Sequence, residues 1–177
     1  LRSAVQEFFG DIPVKFHAFG AAAVLGAHAV YNHEYIITCN ITGEMTELNL
    51  GENGRLAGRA TIPLGINALL RTLQSHGGLS EHEARSALLL SASAEDGPHL
   101  FAEPLAAFAN HFAEEFSDAA GELLDISPVN IIAVHGAANE WHQTLFSHPR
   151  IIAILPTGGS VRALNQNPLM LEAISVI

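Results

Sequence analysis

The chain has 177 residues, 49% hydrophobic and 15% charged, enough apolar material to pack one domain or one large lobe. Eight basic residues against eighteen acidic ones give a formal charge of −10 without any Lys/Arg cluster, which argues against a nucleic-acid surface and against an electrostatic grip on anionic lipid. The single cysteine, Cys39, excludes an internal disulfide framework and fits a reducing compartment.

Leu1, Val5, Phe8 and Phe9 recur at helical spacing and Gly10 closes that helix. The chain starts without methionine and with a helix already under way, so a piece of a longer protein is expected. No signal peptide is expected, and no apolar run in the given sequence reaches the ~18 residues that span a bilayer. Residues 13–19 alternate, with Val14, Phe16 and Ala18 on one side, and predict a short strand. "GAAAVLGAHAVY" (20–31) predicts an alanine-rich helix whose small side chains allow close packing.

"YIITCNI" (35–41) reads as a strand with Asn40 near its end, and Thr42–Gly43 as a turn. "EMTELNL" (44–50) follows as a strand with Thr46, Leu48 and Leu50 on one face. "GENG" (51–54) is expected as a four-residue hairpin connection. "RLAGRATIPL" (55–64) is the third strand, with Leu56, Ala60 and Ile62 on one face.

Helical spacing resumes at Ile66, Leu69, Leu70 and Leu73 and stops at Gly77–Gly78. Ser80 and Glu83 form a capping box for the next helix, with Ala84, Ala87 and Leu88 inward. Residues 91–98 read as a polar loop. A long helix starts near Glu103–Pro104, its stripe running Leu105, Phe108, Ala109, Phe112, Phe116, Ala119, Ala120 and Leu123. Glu114, Glu115, Asp118 and Glu122 fall on its solvated face.

"VNIIAV" (129–134) is expected as a strand buried on both faces and internal to a sheet. It leads into "HGAANEW" and a helix carrying Trp141 and Leu145. "RIIAIL" (150–155) is expected as another strand, then the loop "PTGGS" and a last helix from Pro168. Gly158–Gly159–Ser160 could cradle an anion at a helix start, although a plain connection is the simpler expectation. His135, His142 and His148 match no common zinc spacing, so no metal ligand set is expected. The fold class is α/β with a mixed sheet.

The ordered series "NITGEMT" (40–46), "IPLG" (62–65), "LSEHEA" (79–84) and "IIAVHGAA" (131–138) resembles the second half of actin-like proteins. Within them it is most similar to the branch of the pilus-assembly protein PilM and the division protein FtsA. The resemblance implies an actin-like (ribonuclease H-like) lobe with a mixed twisted sheet, a three-strand meander and flanking helices. One lobe would fill 1–177: a strand and phosphate-loop part (13–64), an inserted helical part (65–126) and an adenosine-side part (127–177). It also implies a cytoplasmic protein at the inner face of the membrane, in pilus assembly or cell division. Its partners would be a membrane-anchored assembly protein or a second copy.

On the same resemblance, nucleotide would touch Asn40, Thr42, Gly43 and Thr46 around the second phosphate loop, and Gly136 and Ala137 at the adenosine loop. Backbone N–H groups of a tight glycine turn form a concave anion site, and glycine allows close approach and positive φ. The family's metal-orienting aspartate is Asn40 here, its first turn glycine is Thr42, and its adenosine-side glycine pair is Gly136–Ala137. Each change weakens the site. ATP or ADP with Mg would belong to the intact parent, no ligand is expected to bind tightly here, and no catalytic residue is assigned. Glu44 beside the turn is a candidate replacement carboxylate. The expected work is scaffolding. The alternatives are an ATP-dependent small-molecule kinase or phosphotransferase of the same superfamily, and an α/β binding domain of another fold.

Overall fold

The computed structural model describes residues 18–90, 102–124, 129–135 and 140–164. Helix α1 (Phe19–Tyr31) leads into a meander of β1 (Tyr35–Ile41), β2 (Thr46–Glu52) and β3 (Arg55–Ile62). Helices α2 (Ile66–Gly77), α3 (Glu81–Leu90) and α4 (Ala102–Leu124) follow, then β4 (Ile131–His135), α5 (Glu140–Phe146), the single turn α6 (Pro149–Ile152) and β5 (Ser160–Ala163). The strands form one mixed sheet in the order β3-β2-β1-β4-β5. β1 pairs antiparallel with β2 and β2 with β3, whereas β1–β4 and β4–β5 are parallel.

Strand alternation sends the two sets of side chains into two cores. Ile37, Cys39, Leu48, Leu50, Ile62, Ile132 and Val134 face the larger core, beneath α2, α4 and α5. Ile36, Ile131 and Ala133 face Ala23 and Ala27 of α1. The sheet is therefore sandwiched between α1 and the other helices. Cys39 is fully buried, and that burial pushes its thiol far above the ordinary range, so it stays protonated.

Helix α4 is the main buttress. Its expected stripe holds at Phe108, Ala109, Phe112, Phe116, Ala120 and Leu123, all buried, and Pro104 and Ala113 join it. Leu105 and Ala119 lie at its margin, partly buried. Phe146 of α5 packs edge-on against both Phe112 and Phe116 at 5.8 Å, a favoured aromatic geometry. The capping box also forms: Ser80 N and Oγ both donate to Glu83 Oε2, at 2.8 and 2.6 Å. Gly78 ends α2 in the left-handed region, at φ 62°.

Several expectations change. The hairpin between β2 and β3 is a two-residue turn, with Asn53 (φ 49°) and Gly54 (φ 75°) both at positive φ, the tight turn that suits the twist of its strands. Gly51 and Glu52 belong to β2 instead of the loop. β2 begins at Thr46, because Glu44 and Met45 are still in the preceding turn, and β3 stops at Ile62.

Leu56 does not share a face with Ala60 and Ile62. The register slips between Leu50 and Gly51, which pair with Gly58 and Leu56 respectively. The extra residue at this bulge reverses the alternation, and Leu56 is left exposed.

Residues 150–155 are not a strand. His148 caps α6 by accepting from Arg150 N at 3.3 Å, and Pro149 supplies a preset φ at the first helical position. The strand comes later, at Ser160–Ala163, so Gly158–Gly159–Ser160 opens a strand rather than a helix. The helix placed at 1–9, most of the strand at 13–19, the loop at 91–98 and the helix from Pro168 lie outside the described residues. Of 13–19, Phe19 is helical, the first residue of α1.

Candidate functional site

The parallel strands β1 and β4 end side by side, with Asn40 in register with His135. On the other flank Asn40 is in register with Glu47 of β2. Glu47, Asn40 and His135 thus form a polar row on the α1 face of the sheet. Phe19, at the start of α1, stacks on His135 with ring centroids 4.9 Å apart and 14° between planes. The crevice beyond the carboxyl ends of parallel strands is where open α/β sheets take ligands.

The turn after β1, residues 42–45, is closed by its own first residue. Thr42 N and Thr42 Oγ1 both donate to Met45 O, at 2.8 and 2.7 Å. Threonine in place of the expected glycine therefore staples the turn. Gly43 is absent from the positive-φ glycines, Gly54, Gly78 and Gly158, so positive φ is not what this position needs. A Cβ there would sit 3.2 Å from Asn67 Nδ2, tight against the side chain that holds Glu44.

The first turn of α2 leans on this loop. Ile66 N donates to Thr42 O at 2.9 Å and Asn67 N to Gly43 O at 2.8 Å. These bonds satisfy two of the orphan donors at a helix start. Gly65 makes the approach possible, since a Cβ there would fall 2.5 Å from Thr42 O, 2.6 Å from Gly43 O and 2.7 Å from Met45 N. In a planar trans peptide the next N–H points opposite to the carbonyl. The N–H groups of Gly43 and Glu44 therefore point away from α2, and neither has an acceptor among the described residues. Two adjacent free amides on one side of a turn form an anion-binding concavity.

Glu44 does not stand in for the missing carboxylate. Its carboxylate is held against α2 by Asn67 Nδ2 at 2.9 Å and by Arg71 Nη2 at 3.1 Å and Nη1 at 3.4 Å. The Arg71 hydrogen bonds, then that of Asn67, draw its pKa below the ordinary carboxylate range. The carboxylate beside Asn40 is Glu47, loosely paired with Arg59 at 3.7 Å. Thr46 is fully buried and its hydroxyl donates to Leu64 O at 2.7 Å, tying the start of β2 to the end of the meander.

Asn40, Thr42, Gly43 and Thr46 are thus gathered around one turn, whereas Gly136 and Ala137 lie outside the described residues. Glu47 and Asn67 were missed by sequence reasoning, and Arg71, expected to solvate a surface of the helical layer, instead grips Glu44 at the turn. Counting pairs outward from a four-residue turn at 42–45 would have found Glu47 opposite Asn40. The partners on α2 carry no such local signal.

Downstream of β4, His142 is buried, and desolvation lowers its pKa to about 4. It borders a cavity of about 500 Å³ with Phe146, Ile152 and Val161. Among the described residues no group of three or more His, Cys, Asp or Glu is arranged to hold a metal, and no helix is long and apolar enough to cross a membrane.

No protein-family model matches the sequence, and no curated protein matches it. Solved structures do. A chain of the PilM–PilN type IV pilus biogenesis complex superposes with a TM-score of 0.66 at 14% identity, over 93% of this chain and 45% of that one. An archaeal actin homolog gives 0.62 at 15%, over 90% and 54%. A ROK-family glucokinase from Streptomyces griseus, solved with glucose and AMPPNP, gives 0.61 at 13%, over 99% and 71%. The chain spans about half the length of the pilus-complex chain and of the archaeal homolog. At these identities what is shared is the fold, and the fold of this chain is the actin-like ATPase fold.

Proposed function

We propose that the chain is a nucleotide-facing lobe of an actin-like scaffold protein, in which nucleotide sets a conformation instead of being consumed. The observation that carries this is the turn at 42–45. Its Thr42 and Gly43 carbonyls are bonded to α2, while the Gly43 and Glu44 amides have no acceptor among the described residues. Those amides would hold a phosphate oxygen of ATP or ADP, with Thr42 and Thr46 as braces and Gly136–Ala137 on the adenosine side. Asn40 and Glu47 could together hold one Mg²⁺, which keeps most of its waters and takes one or two carboxylates. A bound cation would neutralise phosphate charge. A neutral amide at the strand end orients it less firmly than a carboxylate, which favours binding over turnover.

The likeness to a pilus biogenesis complex supports a role in pilus assembly, or in division by the wider resemblance, with a membrane-anchored protein or a second copy as partner. The lobe would then work in the cytoplasm at the inner membrane face. A second reading, an ATP-dependent small-molecule kinase, is favoured by one observation: Glu47 places a carboxylate next to Asn40.

Thermal unfolding with ADP, ATP and Mg²⁺ separates these. Ligand at 100 times its dissociation constant stabilises by about 2.7 kcal/mol. ADP and ATP are expected to raise the melting temperature alike, and Gly43→Val is expected to abolish the rise. A rise found only with ATP, Mg²⁺ and a sugar together would favour the kinase.

A further inference from the structure

A carboxylate inside an anion-binding turn is self-defeating unless something removes its charge. Glu44 supplies one of the two free amides, so its side chain hangs from the residue that would touch the anion. α2 answers this with three donors on the one carboxylate: Asn67 Nδ2 and both terminal nitrogens of Arg71. Exposed ion pairs contribute little to stability, and Glu44 and Arg71 are both well exposed. A fork of this kind on an exposed carboxylate is better explained by what it does to the turn.

We propose that Glu44, Asn67 and Arg71 form a positioning latch that draws the Glu44 carboxylate onto α2 and neutralises it, leaving the Gly43 and Glu44 amides open to an oxyanion such as a nucleotide phosphate. The inference rests on the phosphate-turn reading above and names how that site is kept receptive. The latch works because its two halves are rigidly joined. Asn67 uses its backbone N–H on Gly43 O and its side chain on Glu44. Arg71, one helical turn further on, lies on the same face of α2 and reaches the same carboxylate. Arg71 also borders a small cavity between α2 and α3, with Gln74, Glu81 and Arg85. Arg85 is paired with Glu81 at 2.9 Å, so Glu44 is the carboxylate that Arg71 serves.

Sulfate titration of the 177-residue chain near neutral pH, followed by the ¹H–¹⁵N shifts of Gly43 and Glu44, tests the latch. Both amides are expected to shift saturably in the native sequence. Arg71→Ala releases an uncompensated carboxylate beside the anion and should weaken sulfate about tenfold. Adding Glu44→Gln to Arg71→Ala should restore binding to within about twofold of native. Glu44→Gln alone should bind sulfate at least as well as native. A merely structural brace predicts the opposite pattern, with Glu44→Gln as harmful as Arg71→Ala and no rescue in the double variant. Either result overturns the latch. Equal binding in all four forms overturns the latch and leaves the turn as an anion site. No shift at either amide in any form overturns both.

Discussion

Thr38 and Asn49 face each other across β1 and β2, both buried, on the side packed by α1. Among the described residues, neither the Thr38 hydroxyl nor the Asn49 amide has a hydrogen-bond partner. A buried polar group left unpaired costs about 1–3 kcal/mol, so Thr38→Val, which keeps the shape, is expected to stabilise by about 1 kcal/mol in chemical denaturation. His142 gives a pH-dependent counterpart. Its folded pKa is lowered to about 4 from an ordinary 6.5 by desolvation. Between those values the unfolded chain binds the extra proton and the folded chain does not, so stability rises with pH across that window and is lost as pH falls through it. The native protein should therefore lose more stability from about pH 7 to about pH 5 than His142→Gln does, as read from urea midpoints. An equal loss would show that the imidazole is not held neutral in the core.

Among the elements, legibility followed the strength of the local signal. The β1 strand, α2 and the capping box at Ser80–Glu83 were readable, because alternation, 3.6-residue spacing and a terminal glycine each act within a few residues. The α4 stripe was readable too, and its weight can be tested. Phe112 is fully buried and touches Phe108, Phe116 and Phe146, so Phe112→Ala should cost about 3–5 kcal/mol in a denaturant titration. What misled was apolar content without period. "RIIAIL" is as apolar as a buried strand, and a short run of that kind does not distinguish strand from helix. The cap at His148 and the proline at 149 decided it locally. The bulge at Leu50/Gly51 was illegible for another reason: it is a property of pairing, and no single strand carries it.

For the whole molecule, an α/β fold with a mixed sheet and a three-strand meander was anticipated, but the strand order was not, and the structure gathers Asn40, Thr42, Gly43 and Thr46 around one turn. Its working parts were only half visible. Asn40, Thr42, Gly43 and Thr46 adjoin the turn along the chain, whereas Gly65, Asn67 and Arg71 reach it through tertiary packing. Thr42 and Gly43 also turned out to act differently from expectation, one as a staple and the other as a residue at ordinary φ lying close to the Asn67 side chain. With a net charge of −10 the chain as a whole does not attract anions, so the proposed phosphate contact would rest on the two amides with the Glu44 charge offset by Arg71. The most direct check is ³¹P NMR of Mg-ATP mixed with stoichiometric chain and followed for hours. The β- and γ-phosphate resonances should shift or broaden, and no inorganic phosphate signal should grow. A growing phosphate signal that disappears in Gly43→Val would contradict the account, and so would unperturbed ATP resonances throughout.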